Sequence, residues 1–242
     1  MMESVSTLCL IELALDLCND WKKLGYVLGL EYRDVDRICQ DYRRNGVAEQ
    51  AYRMLREWQA KNGSKATYEV LGNALRGTPV ERVDLAEKYC DGGFRDTSNE
   101  DWGDCSEKLK CGKVSDNELR QIAHDLGKDW MWVGRLLGLD DSFLDGIKEA
   151  NDDQYECSYK MLLKWMQRNS SQATYCWLAQ VLLHRAVGKR LIFEQYCVRN
   201  QLQQQNASRV HPEEQFLSLS ERMGQLHLSS PRNEPSTDSL VL

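Results

Sequence analysis

Apolar residues along this chain recur at three- and four-residue spacing rather than in alternation. Across residues 7–18, Leu8, Leu10, Ile11, Leu13, Ala14 and Leu17 leave almost no polar side, which predicts a short central helix contacted from several directions. Trp21, Leu24, Val27 and Leu28 then follow at helical spacing, and Gly29 offers a stop. Val35 and Ile38 anchor a third stretch whose other positions are charged. The longest predicted helix runs from about Val47 to Lys61, with Ala51, Met54, Leu55 and Trp58 on one stripe and Asn62-Gly63 as terminator. Val70, Leu71, Ala74 and Leu75 mark a helix over 66–76. Val80, Val83, Leu85 and Ala86 mark another over 79–89, with Pro79 at a plausible first helical position. No window sustains strand alternation, so the pattern predicts an all-α architecture of six short helices in about 85 residues.

The pattern then starts again. Asp20 to Leu30 reads DWKKLGYVLGL and Asp129 to Leu139 reads DWMWVGRLLGL, with six of eleven positions identical at an offset of 109. Val35, Asp36 and Ile38 fall on Leu144, Asp145 and Ile147. After a two-residue deletion the offset becomes 107, and Tyr52, Met54, Leu55 and Trp58 fall on Tyr159, Met161, Leu162 and Trp165. Ala66-Thr67-Tyr68 falls on Ala173-Thr174-Tyr175, and Tyr89-Cys90 on Tyr196-Cys197. A single gap between collinear blocks is what a loop-length difference produces. The 242 residues therefore divide into a first domain over 1–90, a linker over 91–113, a second domain over 114–200 and a disordered tail over 201–242. A linker of that length is expected to leave the two domains independently orientable. WKKLGY superficially matches the tetratricopeptide signature, but the tyrosine follows the glycine directly and the period is about 107 rather than 34.

Composition narrows the function classes. Hydrophobic residues at 42% and charged residues at 28% fit a soluble globular chain. A net charge of −6 argues against a general binder of nucleic acid or anionic membrane, and no insertion into a membrane is expected. Nine cysteines at irregular spacing, behind an acidic N-terminus without a basic flank, read as reduced intracellular thiols. His124 and His184 lack the surroundings of a hydrolase site, and Cys90, Cys105 and Cys111 form neither CxxC nor CxxH, so no metal is expected. Gly92-Gly93 lacks the Lys-Ser/Thr of a phosphate loop, and neither a cofactor nor enzymatic activity is expected.

A tryptophan opening helix two, LGL closing it, MLxxW in helix four and ATxxxLxxAL in helix five resemble the death domain. In the first copy the match is carried by Trp21, Leu24, Leu30, Ile38, Met54, Leu55, Trp58, Ala66, Thr67, Leu71, Leu75 and Leu85. In the second it is carried by Trp130, Val133, Leu139, Ile147, Met161, Leu162, Trp165, Ala173, Thr174, Leu178, Leu182 and Ile192. The flavour is similar to death domains of the Fas-associated adaptor and receptor type. The resemblance implies two tandem six-helix antiparallel bundles with Greek-key topology. It also implies homotypic recognition in which helices two and three of one domain meet helices one and four of another. Such contacts are heterologous and do not close into a dimer.

Residues 1–90 hold 13 basic and 14 acidic side chains and residues 114–200 hold 11 and 12, so recognition must rest on segregated charge. Lys22, Arg33, Arg37, Arg43 and Arg44 crowd helices two and three of the first copy, whereas Asp140, Asp141, Asp145 and Glu149 make the same region of the second acidic. Arg135 stands where the Fas-associated type carries an interface arginine, and the first copy has Tyr26 there. These ten residues are the expected protein-binding set. Trp21, Trp58, Trp130 and Trp165 recur on apolar stripes and read as core, while Trp132 and Trp177 have no aromatic counterpart and are the better interface candidates. The expected function is a cytoplasmic, non-enzymatic adaptor. It would link a death-domain receptor or upstream adaptor to downstream effectors in apoptosis or NF-κB-type immune signalling, with self-association among its interactions. The alternatives are a decoy that caps such assemblies and a cysteine-dependent enzyme. Trp102, a helical stripe of Phe216, Leu219, Met223 and Leu226, and the terminal Leu240-Val241-Leu242 are candidate docking elements in the connecting and terminal segments.

Overall fold

A computed structural model of the chain describes residues 4–92 and 108–199. The candidate elements at Trp102, at Phe216 to Leu226 and at the C-terminus lie outside those residues. Both repeats lie in one compact unit, Met1–Cys197.

The first repeat folds as α1 (Thr7–Leu17), α2 (Trp21–Val27), α3 (Tyr32–Asp41), α4 (Val47–Asn62), α5 (Tyr68–Arg76) and α6 (Val83–Tyr89). The second folds as α7 (Asp116–Leu126), α8 (Trp130–Leu136), α9 (Asp141–Ala150), α10 (Gln154–Asn169), α11 (Tyr175–Leu183) and α12 (Arg190–Ile192), the last running on into a π-helical turn over Phe193–Cys197. Among the described residues there is no strand, only the isolated bridges Ser4 to Thr67 and Lys113 to Thr174. Each bundle wraps its own core. Trp58, Leu10, Leu13 and Met54 fill the first, and Trp165, Ile122, Leu126 and Met161 fill the second.

The recurring sequence motifs recur because they do the same local work twice. Ser6 and Ser115 cap α1 and α7 by accepting from the backbone N–H groups of Cys9 and Glu118. Thr67 and Thr174 cap α5 and α11 in the same way, accepting from Val70 and Trp177. The next residue reaches back: the Tyr68 and Tyr175 hydroxyls accept from the backbone N–H groups of Ser6 and Ser115 at 3.1 and 3.2 Å. The ATY triplet thus ties the start of each bundle to its fifth helix. The glycine of each second helix permits close approach. A Cβ on Gly134 would stand 2.7 Å from Leu144 and 3.0 Å from Met161, and one on Gly25 would stand 3.0 Å from Met54.

Three expectations change in the structure. The sixth helix starts at Val83 rather than near Pro79, because Glu81 takes a left-handed φ of 54° that an α-helix cannot contain, and the Arg82 N–H turns back to the Leu75 carbonyl. The linker is shorter than 91–113, since Leu109 is buried in the second core and the Lys110 N–H donates to the Cys197 carbonyl. The bundles are not independently orientable: they pack against each other within one unit. Trp132 and Leu136 of α8 touch both cores.

Candidate homotypic interface

The joint between the bundles is built on a second stripe of α4. Ala51, Met54, Leu55 and Trp58 face the core, and Glu49, Tyr52, Arg53 and Arg56, at three- and four-residue spacing on the adjoining face, meet α8 and α9. At its centre Arg135, only 3% exposed, donates both terminal nitrogens to the Glu49 carboxylate at 2.6 and 2.7 Å and its Nε to Asp141 at 2.8 Å. The guanidinium also lies over the rings of Tyr52 and Trp132, at 4.2 and 4.7 Å from their centroids, and those rings meet edge to face. Every guanidinium nitrogen is thereby occupied, which a buried arginine requires.

Around this pair the network closes. Asp141 also accepts from the Tyr52 hydroxyl and from Arg56 Nε, both at 2.9 Å. Arg53 grips Asp145 through both terminal nitrogens at 2.6 and 2.7 Å, donates Nε to Glu49 at 2.8 Å, and lies over the Tyr42 ring. Burial works to raise the Glu49 carboxyl, but the hydrogen bonds and charge of Arg135, with Arg53 behind it, outweigh that and hold it below its ordinary range. Burial opposes Asp141 in the same way, and Arg135 again holds the carboxyl low. Desolvation works to lower the Arg135 guanidinium, and Glu49 overcomes it and raises it.

A second contact flanks the first. The turn after α11 brings Arg185 onto α1, where it pairs with Glu12 and donates to Asp16 at 2.7 Å and to the Tyr89 hydroxyl at 3.0 Å. His184 Nε2 lies 2.8 Å from Glu12 Oε1. Burial favours a higher value for the Glu12 carboxyl, and the hydrogen bonds from His184 and Arg185 bring it down. Burial likewise works to raise Asp16, and Arg185 and Lys88 hold it well below the usual carboxylate range. The joint therefore sets α8, α9 and the turn after α11 of one bundle against α1 and α4 of the other.

The expected binding residues separate into two groups. Arg135, Asp141 and Asp145 lie inside the joint. Lys22, Arg33, Arg43 and Arg44 stand exposed on the first bundle, with Arg33 against Glu31 and Lys22 over Trp21. Arg37 lies 3.3 Å from Glu57, beside the joint. Asp140 precedes α9 and lies 3.5 Å from Arg168, and Glu149 is exposed in the last turn of α9. Trp132 is an interface residue within the chain, whereas Trp177 packs edge to face on Trp165 in the second core. Sequence reasoning missed Glu49, Tyr52, Arg53, Arg56, Glu12, Asp16 and Arg185. The signal for the first four was a charged stripe beside the apolar one on α4. The flanking set, drawn from α1 and a turn 173 residues away, left none.

Thiol chemistry is disfavoured at the deep cysteines. Burial pushes Cys9 and Cys197 up to about 12 and Cys90 up to about 11, so these thiols stay protonated and non-nucleophilic at neutral pH. Among the described residues no group of three His, Cys, Asp or Glu side chains could hold a metal ion, and no helix is long and apolar enough to cross a membrane.

Two six-helix bundles meeting through the second and third helices of one and the first and fourth of the other define a tandem module for homotypic helical contact. The death domain family model matches residues 8–89 and 116–192, and the chain belongs to the death domain family, whose members are protein-interaction modules of signalling. It is 37% identical over 71 residues to human receptor-interacting serine/threonine-protein kinase 1, a match covering 29% of this chain and 10% of that kinase. The chain thus spans a small fraction of that relative's length. No solved structure matches it.

Proposed function

We propose that the chain is a non-enzymatic cytoplasmic adaptor that recruits other death-domain proteins, coupling a receptor or upstream adaptor to downstream effectors in apoptosis or NF-κB-type immune signalling. The observation that carries this reading is the presence of two death domains packed against each other, with one helical face of each left uncovered by the joint. The likeness to a receptor-interacting kinase supports the signalling context. Burial keeps the Cys9 and Cys197 thiols protonated, which disfavours these two as nucleophiles.

In this reading Lys22, Arg33, Arg37, Arg43 and Arg44 face partners, and Asp140 and Glu149 add acidic contacts at the edge of the joint. Exposed pairs of this kind contribute about 0–1 kcal/mol each and set specificity and register more than affinity. Reversing charge at Arg37 and Arg43 together should remove death-domain proteins from an affinity purification of the tagged chain while leaving its thermal stability intact. Undiminished recovery would sink the assignment of that face. The same reversal at Asp141 and Asp145 should instead lower stability, because those carboxylates hold the joint.

A further inference from the structure

The flank of the joint shows what the side of a bundle's first helix can bind. Arg185 enters the first bundle between α1 and the end of α6, where four acceptors take its guanidinium. Its Nε goes to the Glu12 carboxylate and its Nη1 to Asp16 at 2.7 Å, while Nη2 reaches the Glu12 carbonyl at 2.8 Å and the Tyr89 hydroxyl at 3.0 Å. The Tyr89 hydroxyl donates its own proton to Asp16 at 2.5 Å, so its oxygen is left to accept from the arginine.

The internal repeat carries the same acceptors into the second bundle. At the offset of 109, Glu12 and Asp16 correspond to Gln121 and Asp125 of α7, and at 107 Tyr89 corresponds to Tyr196. The tyrosine–aspartate pair is rebuilt there, with the Tyr196 hydroxyl donating to Asp125 at 2.7 Å. It is rebuilt on a different backbone, since the π-helical turn over Phe193–Cys197 delivers the tyrosine where the first bundle uses an α-helix. Such turns are rare and are found frequently at functional sites. Gln121 keeps a side-chain oxygen where Glu12 has a carboxylate. The acceptor set therefore persists, and only the charge of Glu12 is lost.

Gln121, Asp125 and Tyr196 line a cleft of about 490 Å³, with Arg120, His124 and Tyr155 also on its walls. Among the described residues Asp125 pairs with no arginine or lysine. The oxygen that does not accept from Tyr196 lies 3.1 Å from Nδ1 of His124, a side chain 79% exposed. Arg120 is laid over the Tyr159 ring instead, 5.4 Å from its centroid. Tyr155 stands where the first bundle has Ala48, adds a ring to the wall and stacks on Tyr159 with planes 7° apart. A guanidinium can lie on such a ring, as Arg135 does on Tyr52 in the joint. The counterpart of Arg185 in the first bundle is Thr78, so a repetition of the joint on this bundle would bring a hydroxyl here and no guanidinium. A cation for this cleft has to come from another molecule.

We propose that the cleft between α7 and the π-helical turn takes the side chain of an arginine in an exposed segment of a partner protein. The guanidinium sits on Asp125, Gln121 and Tyr196 as Arg185 sits on their counterparts, with the Tyr155 ring beside it. Arginine is favoured over lysine because the acceptors receive from three separate nitrogens, whereas an ammonium presents its donors from a single point. One accessible arginine suffices, and the partner need not carry a death domain. The site uses none of the charged residues assigned to recruitment of death-domain proteins and does not depend on that reading. With one carboxylate in place of two, it holds its arginine less tightly than the first bundle holds Arg185.

Titration of the isotopically labelled full chain with an Ala-Arg-Ala peptide blocked at both ends, followed through backbone amide resonances, tests the proposal. Shifts should concentrate on α7 and the π-helical turn. The same peptide with lysine or citrulline in place of arginine should bind at least about tenfold more weakly. Asp125→Asn should weaken the arginine peptide by a similar factor. That change also loosens the tie to Tyr196, so Gln121→Glu is the companion variant. It restores the carboxylate of the first bundle at an exposed position, and should tighten arginine binding about tenfold while leaving the melting temperature unchanged. Free L-arginine, which lacks flanking peptide to rest on Tyr155, should bind more weakly than the peptide. Arginine and citrulline peptides that bind alike, shifts confined to other surfaces, or a Gln121→Glu chain no tighter than the wild type would each overturn the proposal. Free L-arginine binding as tightly as the peptide would move the source from a protein to the free amino acid and overturn it too. Recovery of death-domain proteins in affinity purification is read separately, so either reading can fail alone.

Discussion

Arg135 shows how one side chain can change the meaning of a surface. It lies on a seven-residue helix of one bundle, yet it is buried, because Glu49, Asp141, Tyr52 and Trp132 enclose it from both bundles. Taking a guanidinium and a carboxylate out of water is costly, and the pair is held by its complete hydrogen bonding rather than by net electrostatic gain. Arg135→Met should destabilise the chain by about 3–5 kcal/mol, because Glu49 would be left charged and buried without its main partner. Adding Glu49→Leu should restore most of the loss, and a double-mutant cycle by chemical denaturation measures the coupling. Independent, additive losses would show that the two residues do not act as a pair. Arg135 was marked as a binding residue by the resemblance to the Fas-associated type rather than by the repeat, and the structure places it in a contact within the chain. Its partner was not legible, since Glu49 looked like any acidic residue on an amphipathic helix, 86 positions away.

At the scale of elements, the glycine in each second helix records how closely that helix approaches its neighbours. Gly134 allows α8 to rest on Leu144 of α9 and Met161 of α10, and an added methyl would have to displace both. Gly134→Ala should cost about 1–3 kcal/mol through overpacking. Gly25→Ala should cost less, because its nearest contact is a flexible methionine side chain at 3.0 Å. Thermal melts of the two variants check the order. The helices themselves were readable almost throughout: periodicity placed α1, α4 and α5 within about two residues. It failed at α6, where the left-handed Glu81 delays the start, a backbone conformation with no hydrophobic signature. It failed again at the linker, where Leu109 is a lone apolar residue whose burial depends on the distant Cys197 end of the bundle.

For the whole molecule, the joint makes stability depend on carboxylates that stay ionised. Burial works to raise Glu49, Asp141, Glu12 and Asp16, yet all four titrate below their ordinary range in the folded chain, held there by the arginines of the joint and, at Glu12, by His184 as well. A lowered folded value means the contribution is complete above the unfolded carboxylate range near about pH 4, and is lost as pH falls through the depressed values. Stability should therefore drop in acid, with bundle separation, read by energy transfer between labels on the two bundles, accompanying or preceding loss of helix. Glu49→Gln should flatten that dependence. A separation that occurs at the same pH in the variant and the wild type would remove Glu49 from the linkage.

The sequence alone determined the two-copy organisation, the helical class and the core of each bundle, because these rest on periodicity and on a motif set written twice within short stretches of chain. Tertiary structure alone decided what the charged faces do. Whether a carboxylate points into water or into a guanidinium 92 residues away depends on how two folded bodies meet, and nothing local encodes that. Asp141 and Asp145 belonged to an acidic patch on any linear reading, and the packing of α9 on α4 turned them into the inner surface of a joint. Tyr26 and Tyr32, at the equivalent places in the first copy, were left facing outward for the same reason.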